Sequence, residues 1–588
     1  MWRKRAIIIL AIFVSVLIVL MGRLVQLQLT DTEHFTTRNI NLLEASVQQR
    51  SQEMVIDSGR GSFLDRNGNP LTEEYKPVLI LFPFLSQMDW DIKSVSEITG
   101  ASEYALRAAV ETAKEPIAFG TPKPLELTDE QLKKINDLQI PGVFAVEKKY
   151  SLLNRPAEQL LGITSMDGKL KSRYPDKELP NEAMLGVTGM EKGFDEFLLP
   201  EGKSKLVYHV DAKGGPLFGI NVKYVDPANP FYPVNIKTTL DYDLQRMAEK
   251  LMDEHKINKG GLVLMDIETN SVLAMVSRPS MNKDNPFADE GTTNLMVKQQ
   301  IMGSIFKTVV AAAAVDYELT DPSRLFNCSQ KINGQPDDKY DHGMQNFNNS
   351  FALSCNNTFG TLAKELMEID PNILEDYAEK LSLIGSVGWK GDIYHFEDFI
   401  QIQDEDGGRV FLDDAASKDA NFVAMTGIGQ YEVRGTPLAI TNMMATIARG
   451  GEKKMVRTAS VVEYKNHTSL LQFKEKPLEG SHIKPYTAMS MQKLLREVVV
   501  NEKGTGRALS ELPYEVAGKS GTGETGKEKD GEAIENKWFA GYFPYKNPKY
   551  ALVTVRLDAL EQSDPSTTAL FADMVTQLYE YDQSREGN

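Results

Sequence analysis

The sequence predicts an α+β fold for the C-terminal half of the chain, with helices packed on an antiparallel sheet. Two apolar strands, residues 262–267 and 272–276, open this half around a polar turn. Three strand-like runs close it, within "YEVAGKSGTGE", "KWFAGYFP" and "KYALVTVRLDAL". Hairpin-like spacing joins these strands into one sheet built from both ends of the half, with a helical block between them. A terminal helix is predicted from the apolar face formed by Ala569, Leu570, Met574, Val575 and Leu578.

Length and composition limit the class of protein. The chain has 588 residues, more than one hydrophobic core usually supports, so we expect two or more domains. A formal charge of -17 argues against a nucleic-acid-binding protein, because neutralising phosphates requires clustered lysine and arginine. Two cysteines and seven scattered histidines provide neither a disulfide framework nor a His-Glu-x-x-His pair, so we predict no metal and no cofactor.

The N-terminus carries one segment suited to a membrane. A basic triplet, residues 3–5, precedes 17 uncharged residues from 6 to 22, at the short end of the roughly 17–25 needed to span a bilayer. A cleaved signal peptide is the alternative, but its apolar core is usually about 7–15 residues and ends at an Ala-x-Ala-like site, which does not follow Gly22. We therefore predict a cytoplasmic tail at residues 1–5 and a transmembrane anchor at residues 6–25. The rest of the chain is then extracytoplasmic, because positive charge stays on the cytoplasmic side.

Residues 26–233 read as a non-catalytic pedestal of mixed short elements. One helix is well signalled in "LTDEQLKKINDLQIPGV", where Thr128 and Gln131 form a capping box and Pro141-Gly142 ends the helix. The charged residues of this segment form no reactive grouping. The pattern changes near Val234, where a strand precedes an amphipathic helix, so we place the second domain at residues 234–588.

Three stretches of the second domain combine residue types that carry chemistry. Ser304 and Lys307 share one helical turn in "MGSIFKTVVAAAAVD", where the lysine amine can take the serine proton. "LSCNNTF" contains Ser354 and Asn356, and "KSGTG", residues 519–523, ends a predicted strand. Each has a structural alternative: a helix cap, turn residues, or a strand end running into a turn. The Ser-x-x-Lys spacing also recurs elsewhere in the chain, so only the joint appearance and order of the three stretches indicate function.

These motifs, in this order, are those of serine β-lactamases and penicillin-binding proteins. Further blocks extend the likeness, namely "RGSFLDRNG", "GVTGMEKGFDEFLLPEGK", "KTTLDYDLQ", "TGIGQ" and "GTGRAL". The extracytoplasmic part therefore resembles a class B penicillin-binding protein, the transpeptidase type that cross-links peptidoglycan. The chain departs from the family at Met302, where proline usually precedes the glycine, at Ser520 in the third motif, and at Cys355 in the second.

The resemblance implies a domain of the penicillin-binding and serine β-lactamase type, with a five-stranded antiparallel sheet flanked by helices and a helical subdomain. It is preceded by an elongated mixed α/β pedestal, or dimerisation domain, and one transmembrane helix. The implied catalytic residues are Ser304, Lys307, Ser354, Asn356 and Lys519. Ser304 is the nucleophile and Lys307 its base, with a pKa lowered by burial and by the charge of Lys519. Ser354 relays a proton to the departing amine, while Asn356 binds the substrate backbone and steadies Lys307.

The implied substrate-binding residues are Ser520, Gly521, Thr522 and Gly523. Lys519 and the hydroxyls of Ser520 and Thr522 face the carboxylate of the donor peptide. The backbone N–H groups of Ser304 and Thr522 form the oxyanion hole. Gly521 lets the substrate lie close along the strand as an extra β-strand.

The implied function is a membrane-anchored serine D,D-transpeptidase that acylates Ser304 with a D-Ala-D-Ala stem peptide and is inhibited by β-lactams. The alternatives on the same fold are a D,D-carboxypeptidase, a β-lactamase-like hydrolase, and a non-catalytic sensor or scaffold. The implied partners are peptidoglycan stem peptides, β-lactam antibiotics, and a glycan-polymerising glycosyltransferase with other wall-synthesis proteins. The implied location is the cell membrane, spanned once, with the N-terminus in the cytoplasm and the catalytic domain outside.

Overall fold

The structure is a computed structural model that describes residues 2–30, 51–180, 182–210, 222–227, 229–337, 341–560 and 566–586. The chain packs as two units. The first unit comprises Met1–Gly59, Glu74–Ser151 and Glu201–Pro230, and the second comprises Arg60–Glu73, Leu152–Pro200 and Phe231–Asn588.

The strands and helices of the described residues follow in chain order. The strands are β1 (Ser51–Asp57), β2 (Phe63–Leu64), β3 (Glu73–Leu81), β4 (Ile117–Ala118), β5 (Val143–Ser151), β6 (Thr164–Ser165), β7 (Leu185–Gly186), β8 (Ser204–His209), β9 (Lys223–Val225), β10 (Asn235–Thr238), β11 (Gly260–Asp266), β12 (Ser271–Arg278), β13 (Gln300–Ile301), β14 (Phe326–Asn327), β15 (Met344–Gln345), β16 (Lys390–Ile393), β17 (Phe396–Ile400), β18 (Arg434–Gly435), β19 (Ala459–Glu463), β20 (Ser469–Gln472), β21 (Ala517–Lys529), β22 (Glu532–Phe543) and β23 (Tyr550–Leu560). The α-helices are α1 (Trp2–Val25), α2 (Ile92–Thr99), α3 (Glu103–Thr112), α4 (Asp129–Asp137), α5 (Glu158–Leu161), α6 (Gly189–Gly193), α7 (Asp195–Leu198), α8 (Tyr242–Glu254), α9 (Lys307–Asp316), α10 (Phe347–Ala352), α11 (Asn356–Ile369), α12 (Ile373–Lys380), α13 (Ala420–Gly427), α14 (Pro437–Ala448), α15 (Pro485–Val500) and α16 (Ser566–Glu586).

Helix α1 is apolar on all sides and buries none of its side chains. Among the residues that the structure describes, the segment Trp2–Gln28 is the one helix long and apolar enough to cross a membrane. A helix that is apolar all round needs either a protein core or lipid around it. Because none of the residues that the structure describes buries a side chain of α1, this helix agrees with membrane anchoring.

The first unit contains two three-stranded sheets, in the orders β1-β8-β9 and β4-β3-β5. Its core gathers the end of β3, from Val78 to Leu81, with Leu106 and Ile135 of the surrounding helices. The capping box predicted at the start of α4 is present: the Gln131 N–H donates to Thr128 Oγ1, and the Thr128 N–H donates to Gln131 Oε1.

In the second unit, a buried cluster of ion pairs joins segments that are far apart in sequence. Arg60 donates to Glu191 Oε2 at 2.7 Å and to Asp195 Oδ1 at 2.8 Å. All three side chains are almost fully buried. Burying these charges is tolerated because each one is paired and hydrogen-bonded. The cluster fixes the "RGSFLDRNG" segment against the "GMEKGFDEF" segment.

The largest sheet of the second unit has five antiparallel strands in the order β12-β11-β23-β22-β21. Both ends of the C-terminal half therefore contribute to one sheet, which confirms the predicted α+β fold. Successive residues of β11 alternate between two cores, since Leu262 and Leu264 pack in one cluster and Val263 and Met265 in the other. Helices α8 and α16 pack on the face of the sheet that carries Leu262 and Leu264. Helix α14 packs on the face that carries Val263 and Met265.

The helical block is centred on α9. Every side chain from Lys307 to Ala314 in this helix is buried. Helices α11, α12 and α15 pack around it. A short alanine run allows this close approach on all sides, and α9 thereby holds its N-terminal end in a fixed place beside the sheet.

Candidate active site

Ser304 lies in a single 3₁₀ turn, Gly303–Phe306, which runs directly into α9 at Lys307. The N-cap positions of these two elements are Met302 and Phe306, and neither side chain makes a capping hydrogen bond. Ser304 is therefore not the N-cap of either element. The turn requires a glycine before the serine: Gly303 has φ +55°, and a Cβ there would lie 2.1 Å from the carbonyl oxygen of Thr522.

Lys307 is fully buried at the start of α9. Its Nζ atom donates to Asn356 Oδ1 at 2.6 Å, to the Ser354 carbonyl oxygen at 2.7 Å and to Ser354 Oγ at 3.1 Å. Burial lowers the pKa of Lys307 well below its ordinary value, and the nearby charge of Lys519 lowers it further. The amine is thus held in place by three oxygens while its charged form is disfavoured.

Ser354 occupies an unusual backbone position between α10 and α11. Helix α10 ends in a pair of hydrogen bonds, from the Cys355 N–H to the Ser350 carbonyl at 2.8 Å and from the Ser354 N–H to the Phe351 carbonyl at 3.1 Å. This is the Schellman arrangement, which places one residue in the left-handed region and usually selects glycine there. Ser354 has φ +59° in that position. The strained backbone turns its hydroxyl towards the two lysines.

Lys519, on strand β21, is also fully buried. Its Nζ atom donates to Ser354 Oγ at 3.0 Å and to the Ser520 carbonyl oxygen at 3.1 Å. Burial lowers the pKa of Lys519 to about 7. The sequence-predicted residues Ser354, Asn356, Lys307 and Lys519 therefore form one connected hydrogen-bond network.

A cavity of about 540 Å³ opens beside this network. Ser304, Ser354, Asn356, Ser520, Gly521 and Thr522 are among its lining residues. Strand β21 is an edge strand, and along it the half-buried Ser520 and Thr522 alternate with the buried Lys519, Gly521 and Gly523. The structure thus brings the predicted nucleophile to the same cavity as the predicted carboxylate-binding hydroxyls.

Two glycines of β21, Gly521 and Gly523, are required by close contacts with the segment that precedes Ser304. A Cβ at Gly521 would lie 2.7 Å from the Met302 carbonyl oxygen, and one at Gly523 would lie 2.4 Å from the Ile301 carbonyl oxygen. The role of Gly521 in letting substrate approach stays a prediction. The structure adds that the segment carrying Ser304 packs closely against this glycine.

Three features near the cavity were missed by sequence reasoning. Cys328 and Cys355 form a disulfide, so the central residue of the Ser-Cys-Asn motif is covalently tied to another segment. Ser520 Oγ donates to Thr505 Oγ1 at 2.8 Å, which places the "GTGRAL" segment at the rim. Gln430, of the "TGIGQ" segment, hydrogen-bonds to the backbone of β21. The predicted extracytoplasmic location could have indicated the disulfide, because disulfides form in oxidising compartments. The blocks "GTGRAL" and "TGIGQ" could have indicated Thr505 and Gln430.

Among the described residues, no group of three or more histidine, cysteine, aspartate or glutamate side chains is arranged to hold a metal ion. The polar groups of the hydrogen-bond network beside Ser304 are the amines of Lys307 and Lys519, the hydroxyl of Ser354 and the amide of Asn356. Such a set can move protons and bind a carboxylate.

Two protein-family models match this chain and together cover most of its length. Residues 260–576, more than half of the chain, match the family model of the penicillin binding protein transpeptidase domain. Residues 55–229 match the model of the penicillin-binding protein dimerisation domain.

Curated relatives and solved structures agree with these matches. Stage V sporulation protein D of Bacillus subtilis (strain 168) is 25% identical, with 93% of this chain and 80% of the relative covered. The peptidoglycan D,D-transpeptidase FtsI of Escherichia coli (strain K12) is 22% identical, with coverages of 91% and 84%. A chain of a peptidoglycan synthase complex superposes with a TM-score of 0.64 at 22% identity, covering 97% of each chain. Penicillin Binding Protein 2X from Streptococcus thermophilus superposes with a TM-score of 0.63 at 18% identity, covering 90% of this chain and 80% of that one.

Proposed function

Because the chain belongs to the class B penicillin-binding proteins and carries their transpeptidase domain, we propose that it is a membrane-anchored peptidoglycan D,D-transpeptidase acting through an acyl-enzyme on Ser304. The observation that carries the proposal is the shared hydroxyl of Ser354, which two buried lysines contact beside the cavity that Ser304 lines. A pure binding protein has no need of a buried amine whose pKa is lowered.

Lys307 is the proposed base. A neutral amine has two N–H groups and one lone pair. The two shortest contacts, to Asn356 Oδ1 and the Ser354 carbonyl, use both N–H groups. The lone pair then remains to take a proton, and burial favours the neutral form by lowering the pKa of Lys307.

In the first half-reaction, Ser304 Oγ bonds to the carbonyl carbon of the penultimate D-alanine, and its proton passes to Lys307. The C–N bond to the last D-alanine then breaks, and the departing amine takes a proton by way of the Ser354 hydroxyl. The backbone N–H groups of Ser304 and Thr522 are the proposed donors to the oxyanion that forms in between.

In the second half-reaction, the amine of a neighbouring stem peptide attacks the ester on Ser304. The new amide bond is the cross-link, the attacking amine gives up a proton to the base, and Ser304 Oγ regains one. No oxidant, reductant or cofactor enters this balance.

The donor carboxylate is proposed to bind at the edge of β21. Lys519 supplies positive charge from behind the strand, while the hydroxyls of Ser520 and Thr522 line the cavity. Charge-assisted hydrogen bonds are stronger than neutral ones, so the lysine contributes most while it remains protonated. Thr505 orients the Ser520 hydroxyl through their mutual hydrogen bond.

The proposed arrangement in the cell follows from the anchor and the family. The N-terminus is cytoplasmic, residues 6–25 span the membrane, residues 26–233 form the pedestal, and the catalytic domain at residues 234–588 is extracytoplasmic. The proposed partners are stem peptides, β-lactams, and a glycan-polymerising glycosyltransferase with other wall-synthesis proteins. A solved relative being part of a peptidoglycan synthase complex supports the last of these.

The test uses the full chain in detergent, labelled with a fluorescent penicillin. We expect a covalent label on the wild type and none on Ser304→Ala. The matched control is Ser490→Ala, which removes the serine of another Ser-x-x-Lys pair, on α15, and should label like the wild type. A label that survives in Ser304→Ala overturns the assignment of the nucleophile.

Product analysis separates the transpeptidase from its alternatives. When the enzyme is given peptidoglycan strands with pentapeptide stems, mass spectrometry should detect cross-linked dimers. Tetrapeptides alone would identify a D,D-carboxypeptidase, and rapid loss of the penicillin label would identify a β-lactamase-like hydrolase. Absence of both label and products in the wild type would leave the sensor or scaffold.

A further inference from the structure

The side-chain amide of Gln430 pairs with the free edge of β21. Its Nε2 atom donates to the Thr522 carbonyl oxygen at 3.1 Å, and its Oε1 atom accepts from the Glu524 N–H at 2.9 Å. The amide thus satisfies two groups of the edge strand that a further strand would otherwise satisfy. Gln430 lines the cavity together with Ser304 and Thr522, although it is 9% exposed.

The glycine before Gln430 packs directly against the glycine before the nucleophile. Gly429 has φ +77°, and a Cβ there would lie 1.8 Å from the Gly303 carbonyl oxygen. A Cβ at Gly303 would in turn lie 2.1 Å from the Thr522 carbonyl oxygen. The backbones at Gly429, Gly303 and Thr522 therefore touch in sequence without intervening side chains. Gln430, next to Gly429, also bonds directly to the Thr522 backbone.

These contacts fix the distance between two groups that must act together. The Ser304 segment is the 3₁₀ turn that precedes α9, and the Thr522 segment belongs to β21, which is far away in sequence. Their mutual position depends on the direct glycine contact and on the Gln430 amide. Catalytic donors lose effectiveness steeply when they are displaced by about 1 Å.

We propose that Gln430 is a positioning residue, which holds the Thr522 backbone so that its N–H faces the oxyanion formed on the Ser304 adduct. The inference rests on the proposed function, since it takes Thr522 as an oxyanion donor. It predicts that Gln430 acts on the acylation step and not on the binding that precedes it, because the oxyanion exists only after attack.

Two other glutamines in the second unit also bond through their side-chain amides to the backbone of a strand. They serve as controls for the loss of such an amide away from the proposed site. Gln401 is fully buried, donates to the Ala459 carbonyl at 3.1 Å and accepts from the Thr458 and Ala459 N–H groups. Gln245 likewise donates to and accepts from Met275 on β12. Neither lines the cavity beside Ser304. The Gln→Leu change at either position removes an amide clamp on a strand without touching the proposed site.

The experiment compares Gln430→Leu with Gln401→Leu in stopped-flow acylation by a chromogenic cephalosporin. The full chain is used, and rates are expressed per folded molecule from a thermal unfolding scan. We expect Gln430→Leu to lower the limiting acylation rate at least about 10-fold, with the half-saturating concentration within about 2-fold of the wild type. Gln401→Leu should lower the melting temperature and leave both kinetic parameters unchanged.

The outcomes separate the two proposals. If the wild type is acylated on Ser304 and Gln430→Leu is acylated equally fast, the positioning role is wrong and the proposed function stands. A change confined to the half-saturating concentration also overturns the positioning role, because it places Gln430 in substrate binding. If the wild type forms no adduct at all, the proposed function fails and this inference fails with it.

Discussion

Lys307 and Lys519 place their Nζ atoms at 3.1 Å and 3.0 Å from the same oxygen, Oγ of Ser354. Both side chains are fully buried, so two positive charges at this spot would be strongly disfavoured. The pKa of Lys307 lies well below its ordinary value and that of Lys519 at about 7. The arrangement therefore disfavours two ammonium groups at once, and the charge of Lys519 favours the neutral form of Lys307.

The pH dependence of acylation tests this division of charge. Lys519 is protonated below its pKa of about 7 and loses its charge above it, so attraction of the substrate carboxylate fades as pH rises. Lys307 must lose its proton to act as base, which opposes acylation on the acid side. We expect the second-order rate constant for a carboxylate-bearing β-lactam to pass through a maximum and to fall above about pH 7–8. A rate constant that continues to rise through about pH 9 would contradict the role given to Lys519.

The left-handed backbone of Ser354 predicts a conflict between stability and activity. Ser354→Gly and Ser354→Ala both remove the hydroxyl, so both should abolish acylation. They differ in the backbone, because only glycine adopts φ +59° without strain. We expect Ser354→Gly to exceed Ser354→Ala by about 1 kcal/mol in the free energy of unfolding, measured by chemical denaturation. Equal stabilities would show that the turn imposes no such strain.

The glycine before the nucleophile can be tested against a glycine of similar conformation. Gly303 and Gly385 both have positive φ, at +55° and +80°, but a Cβ at Gly385 would meet no atom within 4 Å. Gly385→Ala should lower the free energy of unfolding by about 1 kcal/mol through backbone strain alone, and Gly303→Ala should lower it by more, because its Cβ also meets the Thr522 carbonyl. Only Gly303→Ala should abolish penicillin labelling, because its Cβ would push the Thr522 backbone away. Labelling of Gly303→Ala at the wild-type rate would show that the Thr522 backbone can accommodate the added Cβ without loss of activity.

Reduction of the disulfide provides a test of the loop that carries Ser354. Cys328 and Cys355 are separated by 27 residues in sequence. Cross-linking a loop of this length stabilises a protein by roughly 3–4 kcal/mol in the chain-entropy model. We expect dithiothreitol to lower the melting temperature of the wild type. The double variant Cys328→Ser with Cys355→Ser should melt at the lower temperature with or without the reagent, and a wild type indifferent to reduction would contradict the prediction.

The sequence predicted the parts of the fold that local patterns and ordered motifs encode. Two apolar runs around a polar turn predicted strands β11 and β12, and the Thr128–Gln131 pair predicted the start of α4. The motifs identified Ser304 and Lys519 as members of one site, although more than 200 residues separate them. The structure places both beside Ser354, while their catalytic roles stay predictions.

What the sequence could not predict depends on contacts between distant segments. The ion pairs of Arg60 with Glu191 and Asp195 join two stretches of the predicted pedestal that both belong to the second unit, and nothing local to Arg60 signals this. The domain boundary at residues 233 and 234 stays a prediction. Gln430 bonds to the edge strand of a five-stranded sheet whose strands come from distant parts of the chain, and Ser354 has a conformation for which glycine is the expected residue.

The complete burial of α9 from Lys307 to Ala314 has a consequence for how this cavity can diversify. An enlarged side chain anywhere on that helix would overfill the interior, since overpacking a filled core costs about 1–3 kcal/mol. The buried part of α9, which directly follows the Ser304 turn, therefore tolerates few substitutions. Adaptation to a different acyl donor, or escape from an antibiotic, is then expected at exposed lining residues of the cavity, such as Glu524.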